Sequence, residues 1–200
     1  MISVYNIKPQ FQKALTPVLV FLHKRNISAN QITICACILS LVIGILFWFS
    51  DYNSLFLLAL PVGLLVRMAL NALDGMMARK YHQISKTGEM LNEVGDIVSD
   101  VLIFFPLLKF QPESLYLVIS FIILSIINEF AGVMGKVISG ERRYDGPMGK
   151  SDRAFLLGLY GVLGLFSINI SGYSVYIFTV IIALLIISTS VRIKKALNGK

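Results

Sequence analysis

Two carboxylates stand in a fixed pattern with two glycines and an arginine at the junction of two apolar segments. The run reads D-G-x-x-A-R-x8-G-x7-D, and its members are Asp74, Gly75, Ala78, Arg79, Gly88 and Asp96. Carboxylates at the edge of a bilayer are costly, so they usually mark function. Hard divalent cations such as Mg²⁺ or Mn²⁺ prefer oxygen ligands and keep positions open for phosphates. The pattern therefore predicts metal-assisted chemistry on a phosphorylated compound.

Helical spacing places the oxygen-bearing side chains on two faces. At about 100° per residue, Arg67, Asn71 and Asp74 share one face of a predicted helix. The next predicted helix carries a second polar face, made of Asn92, Glu93, Asp96, Ser99 and Asp100. Because consecutive helices joined by short loops are usually neighbours, we expect the two faces to meet at one end of the bundle.

An alternative interpretation is that these charges only join helices to one another. Under it, Arg67 is predicted to neutralise Asp74, one helical turn beyond Asn71. Glu129, alone in an apolar segment, is predicted to hydrogen-bond to another helix rather than to catalyse. For Asp74 and Asp96 we favour a metal or phosphate role, because helix joining does not require so many polar groups on two faces.

The composition indicates a multi-pass helical membrane protein. Of 200 residues, 56% are hydrophobic and 14% are charged, and the mean hydropathy is +0.76. Soluble domains average about 25% charged residues, so a soluble globular enzyme is excluded. A helix needs about 20 apolar residues to cross the hydrocarbon layer. Six segments meet that length, at approximately 31–50, 54–78, 89–109, 114–136, 153–170 and 173–192.

The first thirty residues differ from the predicted six-helix domain at 31–200. Apolar residues recur at helical spacing from Phe11 to Leu22, among basic residues. This pattern predicts an amphipathic helix lying in the membrane interface. A cleaved signal peptide is disfavoured because Pro17 interrupts the apolar run and no small-residue cleavage site follows.

Lysines and arginines are concentrated on one side of the predicted topology. The opposite loops at 51–53, 110–113 and 171–172 contain none, with Lys109 at one edge. Basic loops are normally cytoplasmic. Both termini and the motif end of the bundle are therefore predicted to face the cytoplasm, from the plasma or inner membrane if the source is bacterial. The net charge of +7 is explained by this topology and by anionic lipids, so no nucleic-acid partner is predicted.

The ordered motif resembles the signature of the CDP-alcohol phosphotransferases (CDP-alcohol phosphatidyltransferases), D-x-x-D-G-x-x-A-R-x8-G-x3-D-x3-D. This chain matches its spacing from residue 71 to Asp96, but Asn71 and Asn92 occupy the first and third acidic positions. The run from Ala29 to Thr33 also resembles the start of the family's first span. The predicted order of one interfacial helix followed by six transmembrane helices also resembles the architecture of the family.

The resemblance implies transfer of a phosphate-linked lipid or alcohol from a CDP-linked donor to an acceptor hydroxyl, with release of CMP. It implies that the four acidic positions bind two divalent metals, Mg²⁺ or Mn²⁺, and that Asp96 is the general base. The implied metal ligands here are Asn71, Asp74, Asn92 and Asp96. By position on the same helix face, either Glu93 or Asp100 is a candidate to compensate for the two asparagines. The implied nucleotide and diphosphate site contains Gly75, Ala78, Arg79 and Gly88. The implied acceptor site contains Arg143, Gly149, Lys150 and Arg153, and a homodimer is also implied.

The two asparagines lower the charge of the motif from −4 to −2. One tight metal, shifted ligands and lost catalysis all stay open. A catalytically inert relative that binds nucleotide or lipid is therefore an alternative. A small transporter is a weaker alternative, because its charges are expected near the membrane midplane rather than at one edge. The acceptor's charge is also open, since the basic residues near Lys150 suit either a phosphate group or ordinary cytoplasmic topology.

Overall fold

The computed structural model describes residues 7–168 and 170–199, and this part of the chain is helical with no strand. Eight α-helices follow one another: α1 Ile7–Lys24, α2 Ala29–Trp48, α3 Leu64–Lys80, α4 Lys86–Phe104, α5 Leu107–Phe110, α6 Leu115–Ser139, α7 Lys150–Leu165 and α8 Ser174–Asn198. A 3₁₀ turn at Ser54–Leu58 and a π turn at Ala59–Gly63 lead directly into α3. Pro106 follows α4, where its missing N–H ends the regular helix before α5.

Four helical stretches are long and apolar enough to cross a membrane: Ala29–Trp48, Ser54–Lys80, Pro112–Ser139 and Ser171–Asn198. They confirm an all-helical integral membrane protein. The other two predicted spans correspond to α4 and α7. Helix α4 contains four acidic residues, Glu89, Glu93, Asp96 and Asp100, and α7 has only 16 residues. Six spans and cytoplasmic termini stay predictions.

The amphipathic helix predicted near the N-terminus is present as α1. It packs against α3, with Leu19 only 1% exposed in a small core that also contains Leu73 and Met77. Phe11 and Val18 remain exposed, which suits contact with lipid. The location of α1 in the interface and the boundary at residue 30 stay predictions, and residues 1–6 lie outside the described part.

Local caps set where the helices of the motif begin. Ser28 and Gln31 form a reciprocal capping box at the start of α2. The Ser85 hydroxyl accepts from the Gly88 N–H at 3.0 Å and so caps α4. The Ala29 N–H donates to Gln83 Oε1 at 2.7 Å, which ties the short α3–α4 turn to the start of α2. Helices α2, α3 and α4 are therefore joined at one end of the bundle.

Close packing of α2 on α4 holds the motif face in place. Gly44 and Gly95 lie at this contact: an added Cβ would be 2.4 Å from the Leu102 carbonyl oxygen and 2.8 Å from Cys37 Sγ, respectively. Small residues let membrane helices approach each other closely. On the other side, α6 packs along α8, and α7 packs against the Ser54–Gly63 segment. Buried side chains from all these elements form the main core, which includes Phe47, Leu60, Ile103, Phe121 and Leu185.

Gly44→Ala is expected to destabilise the protein by about 1–3 kcal/mol, because the new Cβ has no room beside backbone atoms of α4. The measurement is the thermal unfolding midpoint in detergent. Gly172→Ala is the matched control, since an added Cβ there meets nothing within 4 Å. Equal midpoints for the two variants would contradict the close approach of α2 and α4.

Candidate active site

The two polar faces meet, as the spacing of their residues predicted. Asn71 Nδ2 on α3 donates to Asp96 Oδ1 on α4 at 3.4 Å. Asp74 lies one turn further along α3, is only 6% exposed, and is close enough to Asp96 to interact electrostatically. Thr33 Oγ1 on α2 donates to Asp74 Oδ2 at 2.9 Å. Three helices therefore hold the two carboxylates in one region of the bundle.

Asp96 also receives a cation from a distant part of the chain. The Lys150 ammonium donates to Asp96 Oδ1, which makes an ion pair between α7 and α4. Lys150 is the first residue of α7, and the Gly149 N–H before it donates to the Asp152 carboxylate at 2.9 Å. This cap sets the start of α7, so it places the ammonium group opposite Asp96. Asn92 is half-buried one turn before Asp96 on the same helix.

Asp100 lies between two buried arginines. Its Oδ1 accepts from Arg67 and its Oδ2 from Arg153, each at 2.8 Å. The prediction that Arg67 neutralises Asp74 is therefore wrong. Arg67 reaches across to α4 because Asp100, rather than Asp74, faces it. A metal ligand role for Asp100 stays a prediction, and it requires one arginine to leave its carboxylate.

Glu129 on α6 is the centre of a second set of ion pairs. Its carboxylate accepts from Arg153 at 2.9 Å and from Arg142 at 3.1 Å, and it lies 3.7 Å from Arg192. The prediction that Glu129 joins helices is confirmed, since Arg153 belongs to α7 and Arg192 to α8. The motif pattern did not indicate Arg192, because it lies in the last helix, 63 residues beyond its partner. The available sequence signal for Arg192 was the presence of a basic residue within an apolar helix.

Adjacent arginines in the α6–α7 loop have different surroundings. Arg142 Nη1 donates to Glu93 at 2.8 Å, beside the motif face. Arg143 packs on Gly135 and donates to Ser139 Oγ at 3.3 Å, and its acceptor role stays a prediction. Burial alone would lower the pKa of Arg142, but the charges around it, including Glu93 and Glu129, raise the pKa above its ordinary value. Arg142 is therefore cationic.

The residues predicted at the nucleotide and diphosphate line the end of α3 and the start of α4. Arg79 is exposed in the last turn of α3, with Gly75 beneath its guanidinium and Ala78 half-buried beside it. Gly88 lies in the first turn of α4, where an added Cβ would be 2.5 Å from Asn30 Oδ1. Gly88 therefore lets α4 approach the start of α2, and the four nucleotide roles stay predictions.

An apolar cavity of about 280 Å³ adjoins the buried Arg153. Arg153 lies on its wall, and the rest of the lining is mainly aliphatic and aromatic side chains such as Phe104, Phe121 and Ile177. The cavity therefore offers few polar partners beyond Arg153.

The motif, its meeting faces and the helical bundle agree with a known family. The family model for CDP-alcohol phosphatidyltransferase matches residues 26–191. The chain belongs to this family. Inner membrane protein YnbA of Escherichia coli strain K12 is 47% identical to this chain over 160 residues, which are 80% of this chain and 79% of YnbA.

Two crystal structures share the fold of this CDP-alcohol phosphatidyltransferase family member. Both are of phosphatidylinositol phosphate synthase (PgsA1) from Mycobacterium tuberculosis, and both are 18% identical to this chain. The complex with manganese and citrate has a TM-score of 0.74 and covers 90% of this chain and 88% of the synthase. The structure with CDP-DAG bound has a TM-score of 0.73, with coverage of 92% and 94%.

Proposed function

We propose that this protein is a membrane phosphotransferase of phospholipid biosynthesis. It moves a phosphatidyl or phospho-alcohol group from a CDP-linked donor to an acceptor hydroxyl and releases CMP. Family membership supports the reaction class. The observation that carries the proposal is the contact of Asn71 with Asp96, because it brings the two halves of the signature into one site.

The oxygen ligands of the site fit one divalent cation, Mg²⁺ or Mn²⁺. Asp74 and Asp96 supply two carboxylates, and Asn71 and Asn92 supply amide oxygens from the same two faces. Across the described residues, no group of three or more His, Cys, Asp or Glu side chains is arranged to hold a metal. The site has only two carboxylates, and one of them is already paired with Lys150, which favours one ion over two. When bound, the cation would neutralise the donor diphosphate and stabilise departing CMP.

Asp96 takes the proton in the proposed reaction. The acceptor oxygen attacks the phosphorus that carries the donor's alcohol, the bond from that phosphorus to CMP breaks, and CMP leaves with the electron pair. The hydroxyl proton passes to the Asp96 carboxylate, which Lys150 and Asn71 hold in place. Arg79, at the exposed end of α3, is positioned to bind phosphate oxygens by its forked donors.

The proposal places the site at the cytoplasmic side of a six-span bundle. Basic residues cluster in the loops and termini at the motif end, which supports this orientation. A polar nucleotide then arrives from the cytosol while acyl chains of the donor stay in lipid. The exposed apolar side chains of α2, α6 and α8 supply the lipid-facing surface.

Release of CMP tests this function directly. Purified protein in lipid vesicles is expected to release CMP from CDP-diacylglycerol when an acceptor alcohol and Mg²⁺ or Mn²⁺ are present, and to stop when the metal is chelated. CMP release is measured by chromatography, with chelated samples re-supplied with metal as the control. Absence of release with any CDP-linked donor would contradict the proposal.

The two asparagines favour one second candidate, a relative that binds the donor without turning it over. A site with only two carboxylates holds metal less tightly than a site with four. Weak metal binding lowers the rate of catalysis before it abolishes binding of the CDP-linked donor. Thermal stabilisation by CDP-diacylglycerol with no CMP release would support this candidate over the active enzyme.

A further inference from the structure

We infer that the acceptor is an uncharged alcohol rather than a phosphorylated one, and that carboxylates paired with a cluster of arginines, Glu129 above all, determine this specificity. The inference rests on the proposed function. It is based on an arginine cluster beside Asp96, defined as Arg67, Arg142, Arg153 and Arg192. Three carboxylates already pair with this cluster, which are Asp100, Glu129 and Glu93.

The arginine cluster begins one helical turn away from the ion pair between Lys150 and the proposed base, Asp96. Arg153 lies one turn beyond Lys150 on α7, and Asp100 lies one turn beyond Asp96 on α4. Lys150 bonds to Asp96 and Arg153 bonds to Asp100, so the two helices present two successive ion pairs. An acceptor whose hydroxyl reaches Asp96 therefore has the arginine cluster as its neighbour.

The guanidinium groups of the cluster already have acidic or carbonyl partners. Arg153 donates to Asp100, Glu129 and the Met148 carbonyl oxygen. Arg192 donates to the Asn128 carbonyl oxygen at 2.6 Å and to the Asp145 carbonyl oxygen at 3.2 Å. A phosphate group has three strong acceptor oxygens, so beyond the unpaired Nε atoms of Arg142 and Arg153 it would have to take donors away from these partners.

Displacing the carboxylates would leave buried charges without a cation. The Glu129 and Asp100 side chains are 5% and 7% exposed, and that of Arg153 is fully buried. A buried carboxylate that loses its arginine is strongly unfavourable. A dianionic phosphate beside Glu129 would add repulsion between like charges. The three carboxylates therefore select against a phosphorylated acceptor.

A neutral alcohol avoids both costs. The Nε atoms of Arg142 and Arg153 are buried and have no hydrogen-bond acceptor among the described residues. A hydroxyl oxygen can accept from such a donor and leave every ion pair intact. The apolar cavity beside Arg153 has few polar groups to solvate a phosphate.

Paired acceptors test the inference in the intact protein. Glycerol and inositol are each compared with their monophosphates, and kcat/KM is taken from CMP release. We expect the uncharged member of each pair to be preferred at least about tenfold. A preference for the phosphorylated members would overturn the inference while leaving the proposed phosphotransferase function standing.

Glu129→Gln is expected to shift that preference toward the phosphorylated members by about tenfold, because it removes one negative charge from the cluster. Glu141→Gln is the matched control: it makes the same change at an exposed residue of the α6–α7 loop. An equal shift in both variants, or none in Glu129→Gln, would overturn the role of Glu129.

Binding of inorganic phosphate gives a readout that needs no turnover. Titration of the wild-type protein by calorimetry is expected to show no phosphate binding at the cluster, whereas Glu129→Gln and the less buried Glu93→Gln bind it. If Glu129→Gln does not fold, the wild type and Glu93→Gln decide the question. Phosphate binding to the wild type as tight as to Glu93→Gln would overturn the inference, even if no CMP is released from any donor.

Discussion

Asp96→Asn is expected to reduce CMP release by about 10²–10⁴-fold, the range that a positioned general base contributes. Asparagine has nearly the same shape but does not accept the acceptor's proton at neutral pH. Asp96 is the carboxylate of α4 that contacts both Asn71 and Lys150, whereas Asp100 is paired with two arginines. The measurement is the rate of CMP release at saturating metal, so that any weakening of the cation site is compensated.

Asp51→Asn is the matched control for this change. Asp51 follows α2 at the end of the bundle away from the motif, where its carboxylate pairs with Lys109 at 2.7 Å. We expect the control to keep the wild-type rate and Asp96→Asn to keep the wild-type unfolding midpoint. An unchanged rate in Asp96→Asn would remove Asp96 from the role of base, whereas a collapse of its midpoint would show a structural role.

Restoring the two missing carboxylates by Asn71→Asp together with Asn92→Asp is expected to tighten Mn²⁺ binding at least about a hundredfold. A carboxylate 4 Å from a unit positive charge contributes on the order of 4 kcal/mol at an effective dielectric constant of 20. Repulsion among the four carboxylates of the metal-free site raises its energy as well. The double variant should therefore unfold at a lower temperature than wild type without metal and at a higher temperature with it. Calorimetric titration with Mn²⁺ measures the affinity.

Asn53→Asp is the control for added charge, because Asn53 lies in the exposed turn at the opposite end of the bundle. Its Mn²⁺ affinity should equal that of wild type. An unchanged affinity in the double variant would mean that residues 71 and 92 do not face the cation. Tighter binding together with faster CMP release would show that the natural asparagines limit catalysis through the metal.

Much of the candidate site could be predicted from local spacing. Asn71 and Asp74 share a helix face because they are three residues apart, and Asn92 and Asp96 share one because they are four apart. The short turn between α3 and α4 made them neighbours. The structure confirms that the two faces meet, with Asn71 Nδ2 at 3.4 Å from Asp96 Oδ1. The membrane class likewise followed from hydropathy, which counts residues and needs no contacts.

The partners of the arginines could not be predicted in the same way. Arg67 is one turn from Asn71 on the motif face, yet it pairs with Asp100 on α4 rather than with Asp74. Asp74 is instead bonded by Thr33, from a helix that precedes the motif by some forty residues. Sequence spacing reports which side chains share a face, but the rotation of each helix about its axis decides which face meets which partner.

The amino-acid sequence by itself determined the family motif and the helical class, because these depend on residue type and on periodicity within single helices. Tertiary structure alone decided that Glu129 lies among Arg142, Arg153 and Arg192. Those residues come from α6, the following loop, α7 and α8, and only packing of the whole bundle brings such distant charges into contact. The net charge around Glu129 is therefore a property of the folded bundle, because it depends on which of these side chains lie close together.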